Sequence, residues 1–197
     1  MRKVIDEHTE FDPSDLWIGK PHKTLNERYR KSPSYFEIDN YKKLWIKTPF
    51  VLLPFAVSVL NTKQNSKLHT ITAVFNPLTK RRKTFLSLID SIDDVIEERV
   101  GGILGKEYKY RRSVDRSEKS FFKHKMSYSL PKDKNGADNF VLYNNDKEKK
   151  TIEDLVPNTK MIALIELFEI VIDDEEKKYY TSWNIKHGKI FQDVSID

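Results

Sequence analysis

The pattern of hydrophobic and polar positions predicts several β-strands and one long helix. At about residues 84–105, apolar side chains recur every three or four positions, as on the buried face of an amphipathic helix. Thr84 is the expected N-cap of this helix. Elsewhere the pattern is that of strands, and the clearest is KMIALIELFEIVI at residues 160–172. That segment is apolar on both faces, which predicts a central strand.

Three further segments read as strands, each with its own irregularity. WIKTPFVLLPFAVSVL (residues 45–60) contains Pro49 and Pro54, so we expect a strand broken by a bulge or bend. In FFKHKMSYSLP (residues 121–131), alternation places Phe122, His124, Met126, Tyr128 and Leu130 on an inner face. The opposite face would then carry Phe121, Lys123, Lys125, Ser127 and Ser129. In YYTSWNIK (residues 179–186), alternation turns Tyr180 and Lys186 outward.

These elements predict a mainly β (α+β) fold, an OB-like curled sheet or barrel with one long inserted helix. Residues 44–197 are expected to form this domain. Residues 1–43 are polar, contain three spaced prolines and show no sustained period. We expect them to form an extended N-terminal arm.

Charge is concentrated in one part of the chain. The net charge is +5, and residues 106–125 contain eight Lys or Arg against three Asp or Glu, so this segment alone also has a net charge of +5. A local basic excess favours a polyanionic partner such as nucleic acid over a general role in solubility.

Several function classes are excluded or disfavoured by what the sequence lacks. With no cysteine, disulfides, Cys-ligated zinc, iron–sulfur clusters and thiol catalysis are excluded, and an intracellular location is favoured. No apolar run approaches the roughly 20 residues that span a bilayer. The five histidines are dispersed, and no nucleotide-binding or hydrolase motif occurs. We therefore expect no catalytic residue, no cofactor, no bound metal and no membrane association.

The acidic residues of the predicted helix allow one enzymatic alternative. Asp90, Asp94 and Glu97 share one side at helical spacing, as the metal-binding carboxylates of a nuclease would. The simpler interpretation is a solvated helix face that also includes Asp93.

Basic and aromatic residues together give the candidate site. Cations track the phosphates of a single strand, while exposed rings such as Phe121 and Tyr180 stack on unpaired bases. The alternative is a lysine-rich outer face with a ring packed against a loop. The candidate nucleic-acid-binding residues are Arg81, Arg82, Lys109, Arg111, Arg112, Arg116, Phe121, Lys123, Lys125, Tyr180 and Lys186.

Two segments carry a resemblance to a known family. Residues 140–191 contain a T-x-x-D-L turn, a basic-x-I-A-L-I-E-L strand and a W-x-I strand, and KLWIKTPFVLLPFAVS contains I-x-T-P-x-x-x-x-P-F. The chain thereby resembles, over roughly residues 43–191, a conserved OB-fold-like family of large nucleocytoplasmic DNA viruses. That family is related to viral and phage single-stranded DNA-binding proteins.

The resemblance implies a non-enzymatic, sequence-nonspecific single-stranded DNA-binding protein in viral replication, repair or recombination. It also implies viral protein partners and a location in the host cytoplasm, a viral factory or the nucleus. The alternative is a virion structural protein, such as a minor capsid or core component. The sequence leaves the oligomeric state and the choice between DNA and RNA open.

Overall fold

A computed structural model of the chain describes residues 2–5, 12–24, 28–36, 43–61, 67–76, 78–118, 121–133 and 135–191. Before the helix lie β1 (Arg2–Ile5), β2 (Leu16–Ile18), β3 (His22–Lys23), β4 (Tyr29–Phe36), β5 (Lys43–Lys47), β6 (Val51–Leu53), β7 (Ser58–Asn61) and β8 (Lys67–Val74). After helix α1 (Lys80–Leu104) lie β9 (Lys109–Arg111), β10 (Val114–Asp115), β11 (Lys125–Leu130), β12 (Val141–Tyr143), β13 (Lys149–Lys150), β14 (Thr159–Asp173) and β15 (Lys178–Phe191). Short 3-10 helices occur at Pro13–Asp15 and Ile152–Asp154.

Five strands close into a barrel. Around the ring the order is β6, β8, β11, β15 and β14, and β14 returns to pair with β6. All neighbours are antiparallel except β11 and β15, which are parallel. The predicted mainly β, OB-like fold with a single long helix is therefore confirmed.

The longest strands form where the sequence is most apolar. β14 pairs with β15 along one edge and with β4, β5 and β6 along the other, which confirms the predicted central strand. Ile165 and Ile170 are fully buried inside it. In β15, Tyr179 and Trp183 are buried as the alternation predicts. The barrel core and the apolar face of α1 form one hydrophobic cluster.

The helix begins one turn earlier than predicted. Thr79, not Thr84, is the N-cap, and its hydroxyl accepts a hydrogen bond from the Arg82 amide at 3.3 Å. The basic residues between these two threonines are good helix formers, so they extend the helix back to the better cap. The Thr84 hydroxyl instead donates to the Lys80 carbonyl. At the other end, Gly105 has φ 95°, and its amide donates to the Gly101 carbonyl.

The predicted strand at residues 121–131 is shorter than expected. β11 begins at Lys125, because His124 has φ 53°, a left-handed conformation that interrupts the extended backbone. Met126, Tyr128 and Leu130 are buried on the inner face, as predicted. Phe121 and Lys123 precede the strand, so their assignment to its outer face was wrong.

The described parts of the predicted N-terminal arm extend the sheet. β4 pairs antiparallel with β14, with Lys31 opposite Val171, and β2 and β3 both pair with β4. β1 pairs in parallel with β5. The division into an arm and a domain at residue 43 stays a prediction.

An ion-pair cluster joins β4 to the turn between β14 and β15. Arg28 donates two hydrogen bonds to the Asp173 carboxylate, from Nε at 2.9 Å and from Nη2 at 2.6 Å. Asp173 also accepts the amides of Glu175 and Glu176, which shapes the turn. The Arg28 hydrogen bonds hold the pKa of Asp173 below its ordinary value, against the opposing effect of burial.

This lowered pKa predicts an acid-dependent loss of stability. Because the folded pKa lies below the unfolded value of about 3.9, the pair stabilises the fold above that pH, and its contribution is lost as pH falls through the folded pKa. We expect Asp173→Asn to lower the melting temperature at pH 7, and the difference from wild type to shrink below about pH 4. Thermal unfolding between pH 7 and pH 2.5 measures this. The matched variant Asp138→Asn, at a surface carboxylate 3.7 Å from Lys132, should lower the melting temperature at pH 7 much less, because exposed ion pairs contribute little to stability.

Candidate nucleic-acid interface

The outer faces of β8, β11 and β15 form the floor of an open groove of about 1470 Å³. β14, β4 and β3 form one wall of this groove. Phe55, in the connection between β6 and β7, contributes to the other side together with Leu60 and Leu68. The groove thus lies across the barrel strands.

The central part of the groove floor is polar and uncharged. Pairing of β8 with β11 places Thr72 opposite Ser127 and Thr70 opposite Ser129, and β15 continues the surface with Asn184 opposite Ser129. Such side chains both donate and accept hydrogen bonds. This central part consists of Thr70, Thr72, Ser127, Ser129, Ser182 and Asn184.

The groove as a whole carries an excess of positive charge. Among its lining residues, eight are Lys or Arg, and two, Asp115 and Glu169, are acidic. Field lines concentrate in a cleft whose charges are mostly of one sign, so positive potential is expected along this groove. The cations are Lys23, Lys31, Lys43, Arg111, Arg112, Lys125, Lys132 and Lys186.

Several of these cations form ion pairs with carboxylates. Glu166 is buried beneath Lys43 and Lys186, whose Nζ atoms lie 2.7 and 2.9 Å from its two oxygens. Lys125 lies 3.1 Å from Asp115, and Lys31 pairs with Glu169. Two lysines that share the single carboxylate of Glu166 leave one positive charge at that place.

Arg111 and Tyr180 form a mixed cationic and aromatic surface. β9 pairs in parallel with β15, which puts Arg111 opposite Tyr180, and the guanidinium carbon lies 5.6 Å from the ring centroid. Burial raises the pKa of the Tyr180 hydroxyl, while Arg111 has the opposite effect. Among the described residues, no carboxylate lies within ion-pair distance of Arg111.

Exposed rings occur at two further places. Phe55 is 51% exposed and packs edge-on against Phe122, which in turn contacts Phe121, itself 92% exposed. On β14, Phe168 is 42% exposed, and the Lys43 Nζ lies 5.6 Å from its ring centroid. Phe55 and Phe168 line the groove on opposite sides of its polar floor.

The structure brings five of the eleven candidate residues together in the groove and places the other six outside its lining. The groove is lined by Arg111, Arg112, Lys125, Tyr180 and Lys186. It is not lined by Arg81, Arg82, Lys109, Arg116, Phe121 or Lys123.

Two of the candidates that do not line the groove make contacts in other parts of the protein. The Arg82 guanidinium donates two hydrogen bonds to the Phe50 carbonyl, and the Arg116 Nη2 lies 2.7 Å from Asp90. Phe121 and Lys123 belong to the segment before β11. Lys109 is on β9 with Arg111, but it does not line the groove.

The groove also contains residues that the sequence analysis missed. Lys31 and Tyr29 come from β4, within the predicted arm, and reach the groove through the pairing of β4 with β14. Phe168 belongs to a strand that is apolar on both faces, so no alternation identified it as exposed. The ring of Phe55 follows Pro54, where the predicted break already indicated an irregular backbone.

The helix carboxylates proposed as metal ligands form ion pairs and hydrogen bonds instead. Arg112 Nη2 contacts Asp94 at 2.6 Å and Glu97 at 3.0 Å, and Arg116 contacts Asp90. In the part of the chain that the structure describes, no group of three or more His, Asp or Glu side chains is suited to hold a metal ion. Each of these three carboxylates thus already has an arginine partner, with Arg112 shared between Asp94 and Glu97.

Asp93 departs from the expected solvated face, because it is completely buried. It accepts hydrogen bonds from the Tyr110 hydroxyl at 2.7 Å, the Ser113 amide at 2.8 Å and the Ser113 hydroxyl at 2.7 Å. Burial raises the pKa of Asp93, and these hydrogen bonds have the opposite effect. These hydrogen bonds therefore connect the segment after α1 to the helix.

The chain was compared with protein-family models, curated proteins and solved structures. No protein-family model and no curated protein matches the chain, so membership of the viral family stays a prediction. The fold is similar to that of gp2.5, a single-stranded DNA-binding protein encoded by bacteriophage T7. The TM-score is 0.50 at 10% sequence identity, over 79% of this chain and 90% of the phage protein. Among the described residues, no helix is both long and apolar enough to span a membrane.

Proposed function

We propose that the groove binds single-stranded DNA without sequence preference, and that the protein acts without catalysis in viral DNA replication, repair or recombination. The observation that carries the proposal is the groove across β8, β11 and β15, which combines eight cations with exposed rings. The corresponding strands of OB folds are a common surface for oligonucleotide binding. The fold shared with a phage single-stranded DNA-binding protein supports the same function.

The cations provide contacts to the phosphates. Arg111, Lys125 and Lys132 stand at different points along the groove, so they suit a backbone that crosses several strands. Each phosphate neutralised in this way releases counterions, which makes the affinity depend on salt. Because phosphates are the same at every nucleotide, these contacts carry no sequence preference.

The rings provide contacts to the bases and favour a single strand over a duplex. Adjacent strands are about 4.8 Å apart, so the surface between β8 and β15 is about 10 Å wide. Phe55 lies beyond β8, and Tyr180 lies on β15, so the two rings flank the polar floor. Bases stack on such rings only when they are unpaired, at roughly 1–3 kcal/mol per base. The bases of a duplex are paired and stacked inside the helix, so they cannot stack on these rings.

An oligonucleotide titration tests the proposed function. We expect a fluorescently labelled oligo-dT to bind more tightly than a duplex of equal length. With about four phosphate contacts, its affinity should fall about 50-fold between 50 and 200 mM salt. Fluorescence anisotropy at the two salt concentrations measures both effects. Equal affinity at the two concentrations, or a preference for the duplex, would contradict the proposal.

A further inference from the structure

The segment that contains Arg111 forms hydrogen bonds to α1 from residues on both sides of Arg111. Tyr110 and Ser113 both bind the carboxylate of Asp93, through three hydrogen bonds between 2.7 and 2.8 Å. In β9, successive side chains point in opposite directions. Tyr110 therefore turns toward the helix, and Arg111 turns outward to the groove.

The same hydrogen-bond network continues beneath the groove. The Ser113 hydroxyl lies 2.7 Å from the Thr181 hydroxyl, and the Trp183 indole Nε1 donates to both oxygens at 3.0 Å. Thr181 and Trp183 belong to β15, which also carries Tyr180. Asp93 thus connects the helix to both partners of the Arg111–Tyr180 pair.

We propose that Asp93 is a positioning residue for the binding groove: through Tyr110 and Ser113 it holds Arg111 over Tyr180, so that one cation and one ring meet the same nucleotide. The proposal rests on the proposed function of the groove. Asp93 is completely buried and touches no ligand itself. It acts through Arg111.

The geometry explains why a buried carboxylate occupies this position. An ionised carboxylate that accepts several hydrogen bonds fixes its donors more firmly than a neutral acceptor does, because charge-assisted hydrogen bonds are the stronger class. An asparagine has the same shape, but its NH₂ group replaces one of the two acceptor oxygens. It would then face a group that itself donates, such as the Ser113 amide. Asp93→Asn should therefore loosen residues 110–113 while leaving the size of the side chain unchanged.

The test is a double-mutant cycle on the full chain, with oligo-dT as the probe. We expect Asp93→Asn to weaken binding about tenfold, as for loss of one charge-assisted contact. In an Arg111→Ala background, the same substitution should change the affinity less than twofold, because the residue it positions is already absent. The matched control is Asp90→Asn, one turn earlier on α1. Asp90 pairs with Arg116, which lies outside the groove, so its substitution should leave binding unchanged.

Hydrogen exchange gives a readout that does not depend on DNA. The Ser113 amide donates to Asp93, so its protection should fall in Asp93→Asn and stay as in wild type in Asp90→Asn. If Asp93→Asn does not fold, Tyr110→Phe takes its place in the double-mutant cycle. This variant removes the hydrogen bond from the Tyr110 hydroxyl to Asp93. Its effect on affinity should likewise disappear in the Arg111→Ala background.

The outcomes separate the inference from the proposed function. If wild type binds oligo-dT and Asp93→Asn binds equally well, the positioning role is wrong and the groove function stands. If Asp93→Asn weakens binding by the same factor with and without Arg111, Asp93 acts on the fold in general, and the inference is again overturned. If wild type does not bind oligo-dT at all, the proposed function fails, and the inference fails with it.

Discussion

Reversing the charge of Arg111 is expected to weaken oligo-dT binding on the order of 100-fold at low salt, because it replaces a phosphate contact with a repulsion. Arg111 faces the groove, stacks on Tyr180 and has no carboxylate partner among the described residues. Its positive charge is therefore available to a phosphate. Fluorescence anisotropy with the Arg111→Glu variant at 50 mM salt measures the loss.

The chain offers a matched control on the same strand. Lys109 is exposed and has the same charge as Arg111, but it does not line the groove. Lys109→Glu changes the net charge of the protein by the same amount, so it reports the contribution of long-range attraction alone. We expect it to weaken binding only about twofold to threefold. Equal losses for the two variants would mean that net charge, and not the groove, governs binding.

The second large expected effect is a loss of stability when a buried side chain of the barrel is shortened. Ile165→Ala is expected to cost about 3 kcal/mol of unfolding free energy, because Ile165 is fully buried in β14, and the vacated space cannot collapse completely. For a chain of this size, that loss corresponds to a fall of about 10 °C in melting temperature. Chemical denaturation and thermal unfolding measure the two quantities.

Phe168→Ala on the same strand is the control for this second effect. It removes a larger side chain, but that side chain is 42% exposed at the groove. We expect it to cost about 1–1.5 kcal/mol, roughly half the loss for Ile165→Ala, since the ring buries less apolar surface than its size implies. If the exposed Phe168 costs as much stability as the buried Ile165, the assignment of inner and outer faces in β14 is wrong.

The elements predicted best were those whose pattern is local. The apolar run at residues 160–172 and the alternation of Tyr179 and Trp183 depend only on neighbouring residues, and both were confirmed. The single helix was also confirmed, although its first turn was missed because Lys80–Lys83 carry no apolar signal. Proline breaks were predicted between residues 45 and 60, and β5, β6 and β7 occupy that region as separate strands.

The site was harder to predict, because it depends on contacts between distant segments. Lys31 reaches the groove only through the pairing of β4 with β14, and nothing in the local sequence sets that register. Arg116 was a candidate binding residue, but it pairs with Asp90, 26 positions away in sequence. Phe121 was assigned to a strand face because a left-handed backbone at His124, a non-glycine residue, gives no sequence signal.

Photo-crosslinking most directly tests whether a single strand lies in the groove. An oligonucleotide containing 4-thiothymidine would be bound to the full chain and irradiated, and the attachment sites would be mapped by mass spectrometry. We expect crosslinks on the groove side, at Phe55, Phe168 and Tyr180, and we expect excess unlabelled oligo-dT to suppress them. Crosslinks confined to the exposed face of α1, around Glu98 and Ile103, would contradict the account.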